Sequence, residues 1–534
     1  MTLSDNFDET IASVTFDYDD DDIVVIVGSG AGGGTLANEL CQKGINIVLL
    51  EAGKRLHSAD FENDEGLMFD RLSWMDRRIT AGESLLATDW PFFPTWICKT
   101  TGGSTVHWAG QSIRFRDYEF KPRTTYGAIE GANLIDWPIS LDEMLPYYER
   151  AEDKMGVSGR GGRPSLPLNN NFKVIALGAQ RMGYTDYDAS HMAINSVPHD
   201  GRNACDQIGF CMQGCKSEAK WSTLYTEIPK AEATGRCEVR HSSMALKVEH
   251  NNTGRVNGVI YVDANGKQIR QKARAVCIAG NAIETPRLLL NSESAMYPDG
   301  MANSSGQVGR NYVRNITGFV YGIFDKPVSM YRGAAGQGII RDESWHRPER
   351  GFAGGIWLTS CGLGLPNVAA FMNPRGWGRD YALLLEQFSN ISAIWTCGED
   401  LPLSRNGITL HEKEKDQYGL PVPVVSITEH PNDVAMRNYS HLRAAQVFDA
   451  AGAIQTVEST LVPGSHNLGT CRMSDDPDVG VVNSYGQTHD IPNLFVSDGS
   501  QFSSSFTGNP TLTIVTLAIR QAEYIAERMR GNEI

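Results

Sequence analysis

The chain has 534 residues, 41% of them apolar and 21% charged, with a formal net charge of −15. That length implies more than one folding unit. The acidic balance excludes a general nucleic-acid binder, which needs basic surface to displace counterions from phosphates. Residues 1–22 carry eight acids (Asp5, Asp8, Glu9, Asp17, Asp19, Asp20, Asp21, Asp22) and no Lys or Arg, which predicts a solvated acidic tail over 1–20. The longest apolar stretches, around 23–27 and 512–519, fall far short of the ~20 residues that a membrane-spanning helix needs. No positive region followed by an apolar one opens the chain, so its own sequence predicts a cytoplasmic protein. Ten cysteines in so long a chain are not a disulfide scaffold.

Residues 23–27 (Ile-Val-Val-Ile-Val) are a continuous β-branched run ending at glycine, the pattern of a buried parallel strand. Gly28-Ser29-Gly30-Ala31-Gly32-Gly33 follows, with a helix predicted from Ala31 to about Lys43 and ended by Gly44. Residues 45–50 form a second strand that closes on Glu51. In such a unit Gly28 permits the tight turn, Gly30 lets the backbone approach a pyrophosphate, and Gly33 lets helix and strand pack closely. The pyrophosphate rests on the helix N-terminus, where free amides favour negative charge, and Glu51 accepts from a ribose 2′-hydroxyl. Strand, glycines, helix and acid together predict dinucleotide binding, without separating FAD from NAD.

Further along, the glycine-rich stretch 156–162 and Asn169-Asn170-Asn171 read as loops. Cys205, Cys211 and Cys215 are spaced by six and four, and closely spaced thiols in a glycine-containing loop let several sulfurs converge on one inorganic site. Zinc held together with His199, a Cys211–Cys215 disulfide and free buried thiols are the alternatives. Residues 246–250 and 256–262 form a hairpin through the turn 251–254. Residues 273–279 are another buried strand, leading through Gly280-Asn281 to a helix from about Thr285. Residues 316–454 suggest a mostly antiparallel sheet. A short strand at 493–497 runs into Asp498-Gly499, and Pro510 opens a helix through about Met529. The pattern predicts an α/β dinucleotide-binding domain (21–120, 220–315 and 455–534) interrupted by a substrate domain (121–219 and 316–454). No serine flanked by glycines at two residues on each side occurs, nor any His-Glu-x-x-His, so hydrolase and zincin readings have no support.

These residues resemble the glucose–methanol–choline (GMC) flavin oxidoreductases over nearly the whole chain. The matching stretches are 28–33 with Glu51, Thr101-Gly102-Gly103-Ser104-Thr105-Val106-His107-Trp108, Asp136-Trp137-Pro138-Ile139-Ser140 and Tyr147-Tyr148-Glu149-Arg150-Ala151-Glu152. Further matches are 280–289, Gln307-Val308-Gly309-Arg310-Asn311, His466-Asn467-Leu468-Gly469-Thr470-Cys471-Arg472-Met473, Asp498-Gly499 and 508–513. Within the family the chain is most similar to bacterial sugar dehydrogenase catalytic subunits and the pyranose-oxidase-like branch.

The resemblance implies the GMC fold, a Rossmann-like FAD domain interleaved with a substrate domain, and FAD rather than NAD. Gly102, Gly103 and Ser104 would bend around the flavin and pyrophosphate, and Asp498 and Gly499 would contact the ribityl chain and phosphates. The helix opening at Pro510 and Thr511 would face the flavin edge that becomes anionic on accepting hydride. His466 would be the base that removes the hydroxyl proton, and Asn509 would hold the substrate oxygen. His107 would either carry the flavin covalently or pack beside a non-covalent FAD, the second being the expectation. The implied reaction is oxidation of an alcohol of a sugar, glycoside or polyol, with electrons passed to a carrier. The alternatives are an oxidase using O2 on a (C-)glycoside, an aromatic alcohol dehydrogenase and a non-enzymatic flavoprotein subunit. The relatives' cysteine spacing implies a 3Fe-4S cluster at Cys205, Cys211 and Cys215, although Ala204 and Lys216 replace the second cysteine and the proline common there. A small chaperone-like subunit and a cytochrome acceptor are the implied partners. Co-export with a signal-bearing partner would make the protein periplasmic.

Overall fold

The computed structural model describes residues 14–534, apart from the side chains of Ile316 and Thr317. Its first layer is a parallel sheet built from β1 (Val24–Val27), β2 (Ile47–Leu50), β3 (Cys237–Arg240), β4 (Ala275–Ile278) and β5 (Leu494–Val496), in the order β5-β4-β1-β2-β3. Successive side chains of a strand point to opposite faces, and here both faces are covered, which is why β1 reads as uninterrupted Val and Ile. Val24 and Ile26 join a cluster with Leu36 and Leu40 of the helix Ala31–Gln42 and with Ala518 and Ile525 of the helix Thr511–Arg530. Val25 joins the other cluster, with Val248 and Val259 of the three-stranded meander Met244–His250, Val256–Val262 and Gln268–Lys272.

The second layer is a six-stranded antiparallel sheet. Its order is Gln455–Glu458, Ile316–Ile323, Ile391–Gly398, Ile356–Ser360, Gly338–Ile340, Tyr187–Ala189. The helices Asn170–Arg181 and Pro431–Ala451 cover one face, where Phe172, Ile175, Val447 and Phe448 meet Val320, Ile356 and Ile394. The other face, with Phe319, Trp395 and Phe371 of the neighbouring helix Leu365–Met372, looks toward the parallel layer.

Two expectations need correction. The Asn169–Asn171 run opens a helix: Asn169 Oδ1 caps it by accepting from Phe172 N–H at 3.0 Å, and Asn171, fully buried, bonds Cys361 O and Ala393 O across the sheet. The acidic segment is not free of the fold over its described part. Phe16 N–H donates to Glu238 at 2.8 Å, Asp19 pairs with Lys272 and Asp22 with Arg274, so these acids answer basic residues at the edge of the meander. Asp5, Asp8 and Glu9 lie outside the described residues. Residues 316–454 hold the expected antiparallel strands and also the 21-residue helix Pro431–Ala451.

Candidate active site

The turn after β1 is fixed by close approach. Gly28 has φ +97°, and a Cβ there would lie 2.4 Å from Ala279 O. A Cβ on Gly33 would lie 1.9 Å from Gly28 O, and one on Gly32 1.6 Å from Ser497 O, so helix and strands touch backbone to backbone. At Gly30 a Cβ would meet no atom within 4 Å. Its open side faces a cavity that runs between the two layers.

Ser29 ties this turn to its surroundings. Its hydroxyl donates to Glu51 Oε2 at 2.6 Å and accepts from Gly102 N–H at 2.9 Å, while Glu51 Oε1 accepts from Gly53 N–H at 2.8 Å. Burial raises the Glu51 carboxyl above its ordinary pKa, against these bonds. The Gly102-Gly103 turn rests on the fingerprint, since a Cβ on Gly103 would lie 3.0 Å from Gly30 Cα. On the far side Asp498 accepts from Asn281 N–H at 2.9 Å, Thr285 Oγ1 at 2.6 Å and Ser500 N–H at 2.7 Å, pinning together the turns after β4 and β5. The expected residues Gly28, Gly30, Glu51, Gly103, Ser104, His107, Asp498, Gly499, Pro510 and Thr511 all line the cavity, while Gly33 and Gly102 support it from behind. Ser29 was not singled out in the sequence, because serine at a variable position of the glycine pattern carries no signal.

His466 and Asn509 meet at the other end. Asn509 Nδ2 lies 3.1 Å from His466 Nε2, and His466 Nδ1 lies 3.2 Å from Asn315 Oδ1. Asn315 Nδ2 donates to Gly398 O at 3.2 Å and to Phe506 O, so its Oδ1 faces the histidine as an acceptor. The proton of a neutral His466 therefore sits on Nδ1, leaving the Nε2 lone pair toward Asn509 and the cavity. Trp395 holds the ring edge-on at 5.3 Å. The neighbouring Asn467 is locked by Thr95 at 2.8 Å and Tyr312 at 2.5 Å. Asn315 was invisible in the sequence, since nothing in Arg314-Asn315-Ile316 announces a contact 151 residues away.

His107 stacks on Trp96 at 5.0 Å, and its buried Nε2 has no hydrogen-bond partner. A buried polar nitrogen without a partner at a cavity wall, and the open side of Gly30, are what a bound flavin nucleotide would complete. Burial pushes both histidines down to about 3, with the nearby Lys220 ammonium adding to the effect at His107. Unfolded histidine titrates near ~6.5. As pH falls from about 6.5 toward about 3, the unfolded chain takes up protons that the folded one refuses, and this contribution to stability is lost over that window. The loss is on the order of 2 kcal/mol per histidine between pH 7 and pH 5. Thermal midpoints of the cofactor-free protein should therefore fall more steeply over that interval in wild type than in His107→Gln/His466→Gln. Equal slopes would contradict the buried neutral state.

Against known proteins, the GMC oxidoreductase family matches in two parts, residues 76–316 and residues 402–518. The chain belongs to the GMC oxidoreductase family. It is 32% identical to 2-methyl-1,2-propanediol dehydrogenase of Mycolicibacterium austroafricanum, covering 93% of this chain and 94% of that one. It is 31% identical to paromamine 6'-oxidase of Streptomyces fradiae (92% and 89%) and 30% identical to the fructose dehydrogenase large subunit of Gluconobacter japonicus (93% and 96%).

In this GMC oxidoreductase the cysteine segment does not bear out its metal expectation. Among the described residues no three His, Cys, Asp or Glu side chains come together as a metal ion requires, and no disulfide joins Cys211 to Cys215. Cys205, Cys211 and Cys215 instead border one apolar cluster of Leu166, Met192, Ile194, Ala219 and Ala334. Burial pushes the Cys205 thiol up to about 12. The nearby buried Lys220 is committed to the carbonyls of Val106, Trp108 and Cys211. Among the described residues no helix is long and apolar enough to cross a membrane.

Proposed function

We propose that the chain binds FAD in the cavity between its layers and oxidises a hydroxyl of a sugar, glycoside or polyol. The observation that carries this reading is the His466–Asn509 pair, 3.1 Å apart, with Asn315 fixing the tautomer. His466 Nε2 accepts the hydroxyl proton, and Asn509 Nδ2 donates to the substrate oxygen and keeps it on the histidine. When bound, FAD supplies the acceptor for the hydride that leaves the alcohol carbon. Proton and hydride leave together as the C–O bond becomes a carbonyl. Gly28, Gly30 and Gly33 would seat the pyrophosphate on the first helix, and Glu51 would take the ribose hydroxyl. Gly102, Gly103, Ser104, Asp498 and Gly499 would frame the flavin. Pro510 and Thr511 would place a 20-residue helix with its positive end toward it.

His107 would sit beside the flavin as a neutral ring and, in this reading, would form no bond to it. Acid precipitation should therefore release about one FAD per chain into the supernatant. Flavin that stays with the pellet would make the His107 link covalent.

The names of two relatives, a dehydrogenase of a diol and one of a sugar, support passage of the electrons to a carrier. The oxidase among the relatives supports O2 as a second reading. Peroxide formed as fast as the alcohol is consumed in air would select the oxidase. The word subunit in one relative's name supports pairing with a smaller protein, with a cytochrome as acceptor and a compartment set by that partner. No electron relay through Cys205, Cys211 and Cys215 belongs to this reading.

A further inference from the structure

A second cavity lies next to the first. It is lined by Arg114, Arg116, Arg160, Arg341, His191 and Ser190 against the apolar wall of Ile113, Phe115, Ile339 and Trp357, and no carboxylate lines it. Among the described residues, two carboxylates pair with the side chains of these arginines. Glu152 accepts from Arg114 at 2.7 and 2.6 Å and lies 3.6 Å from Arg160 Nε, and Asp186 accepts from Arg341 Nε at 2.8 Å. The lining itself is basic, with four guanidiniums and no carboxylate, in a chain whose net charge is −15; Glu152 and Asp186 pair with three of them and Glu119 accepts from the Arg116 backbone N–H at 2.6 Å. Concentrating like charges around one space costs free energy unless an anion enters it.

The site is built rather than incidental. Arg160 sits in the glycine-rich stretch 156–162 that the sequence presents as a loop. Gly159 adopts φ +75°, and a Cβ there would lie 2.8 Å from His191 Nδ1, so only glycine lets the loop close on that histidine. Arg163 clamps the loop by donating to Val157 O, Asp153 Oδ1 and Glu152 O at 3.1, 2.9 and 3.0 Å. Arg160 Nε is buried and has no hydrogen-bond partner, and neither has the Trp357 indole N–H. Arg116 is held flat, 4.0 Å over Trp345, while it donates to Ser344 O. Burial, then the Arg160 and Arg341 charges, keep His191 below its ordinary pKa, as expected for a ring facing cations.

The two cavities share a wall. Gln111 lines the first and Ile113 the second, and between them Ser112 N–H donates to His191 O at 2.8 Å. A Cβ on Gly508, beside Asn509, would lie 3.6 Å from Ile113 Cβ.

We propose that this second cavity is an oxyanion site that takes the carboxylate or phosphate group of a small acid. Planar guanidinium forks match either group, and the buried Trp357 indole N–H, which has no hydrogen-bond partner, lines the same space. The acid group belongs either to the alcohol substrate or to a free oxyanion bound beside it, and the test separates the two.

The probe is inorganic phosphate, added to flavin-loaded protein against chloride at equal ionic strength, with the thermal midpoint as readout. Wild type should show a saturable upward shift with phosphate alone. Arg160→Met and Arg341→Met should each raise the half-saturating concentration at least tenfold, with flavin content reporting that the variants are folded. This arm needs no turnover, so its outcome is independent of the proposed reaction. In turnover of a sugar acid or sugar phosphate beside its neutral parent sugar, phosphate competing only with the acidic substrate places the acid group on the substrate; phosphate changing the rate of both without competition makes the ligand a free oxyanion. A phosphate shift no larger than that of chloride, or one unchanged in both variants, would overturn the proposal.

Discussion

Flavin reduction by the alcohol should fall about 10²–10⁴-fold in His466→Ala while FAD stays bound, the range expected for loss of a positioned base. The size follows from the geometry. Nε2 is the only atom of the pair that can accept a proton, because Asn509 presents an amide N–H. Alanine removes the acceptor and leaves the cradle of Gly28, Ser29 and Glu51 untouched at the far end of the cavity. Asn509→Ala should cost less, on the order of the ~1–3 kcal/mol of one polar contact, because the base survives. Single-turnover mixing without oxygen reads the chemical step directly. A His466→Ala rate within threefold of wild type would remove the histidine from its role.

Gly33→Ala should yield protein without flavin. The new Cβ would lie 1.9 Å from Gly28 O, a backbone atom that cannot rotate away. Ordinary overpacking of a core costs about 1–3 kcal/mol even when side chains can adjust. Here the strain falls on the turn that would seat the pyrophosphate. Gly44→Ala is the matched control for losing a glycine near this helix, since a Cβ there meets nothing within 4 Å, and its φ of +88° puts the cost in local backbone strain. The ratio of visible flavin absorbance to protein absorbance checks both variants. A normal flavin content in Gly33→Ala would contradict the close-packed turn.

Much of the parallel layer was legible because both its faces are buried, which turns β1 and β4 into runs of Val, Ile, Ala and Cys that end at or near a glycine. The long helix Pro431–Ala451 was not legible by periodicity. Its buried side carries Asp433, Ser440 and His441 among Met436, Val447 and Phe448, so hydropathy does not repeat with the helical period. Its ends did carry signals, Pro431 at the first turn and Gly452 in the left-handed cap. The site divided in the same way. His466 and Asn509 were reachable through family motifs, whereas Asn315 reaches His466 from the residue just before the strand Ile316–Ile323, a placement that only the folded sheet sets. Asn169 was misread because a run of asparagines suits a loop and a helix cap equally; the apolar Phe172 and Ile175 that follow were the discriminating residues. The cysteine spacing predicted that the three thiols come to one place, and they do border a single apolar cluster, but spacing does not fix what they bind there.

The most direct measurement is an oxygen-free titration of the purified, flavin-loaded protein with sugars, glycosides, polyols and diols while visible flavin absorbance is followed. At least one of these alcohols should bleach the flavin in wild type and yield its carbonyl product in equal amount, with bleaching slowed about 10²–10⁴-fold in His466→Ala. A flavin that stays oxidised with every alcohol, or that bleaches equally fast without His466, would contradict the account.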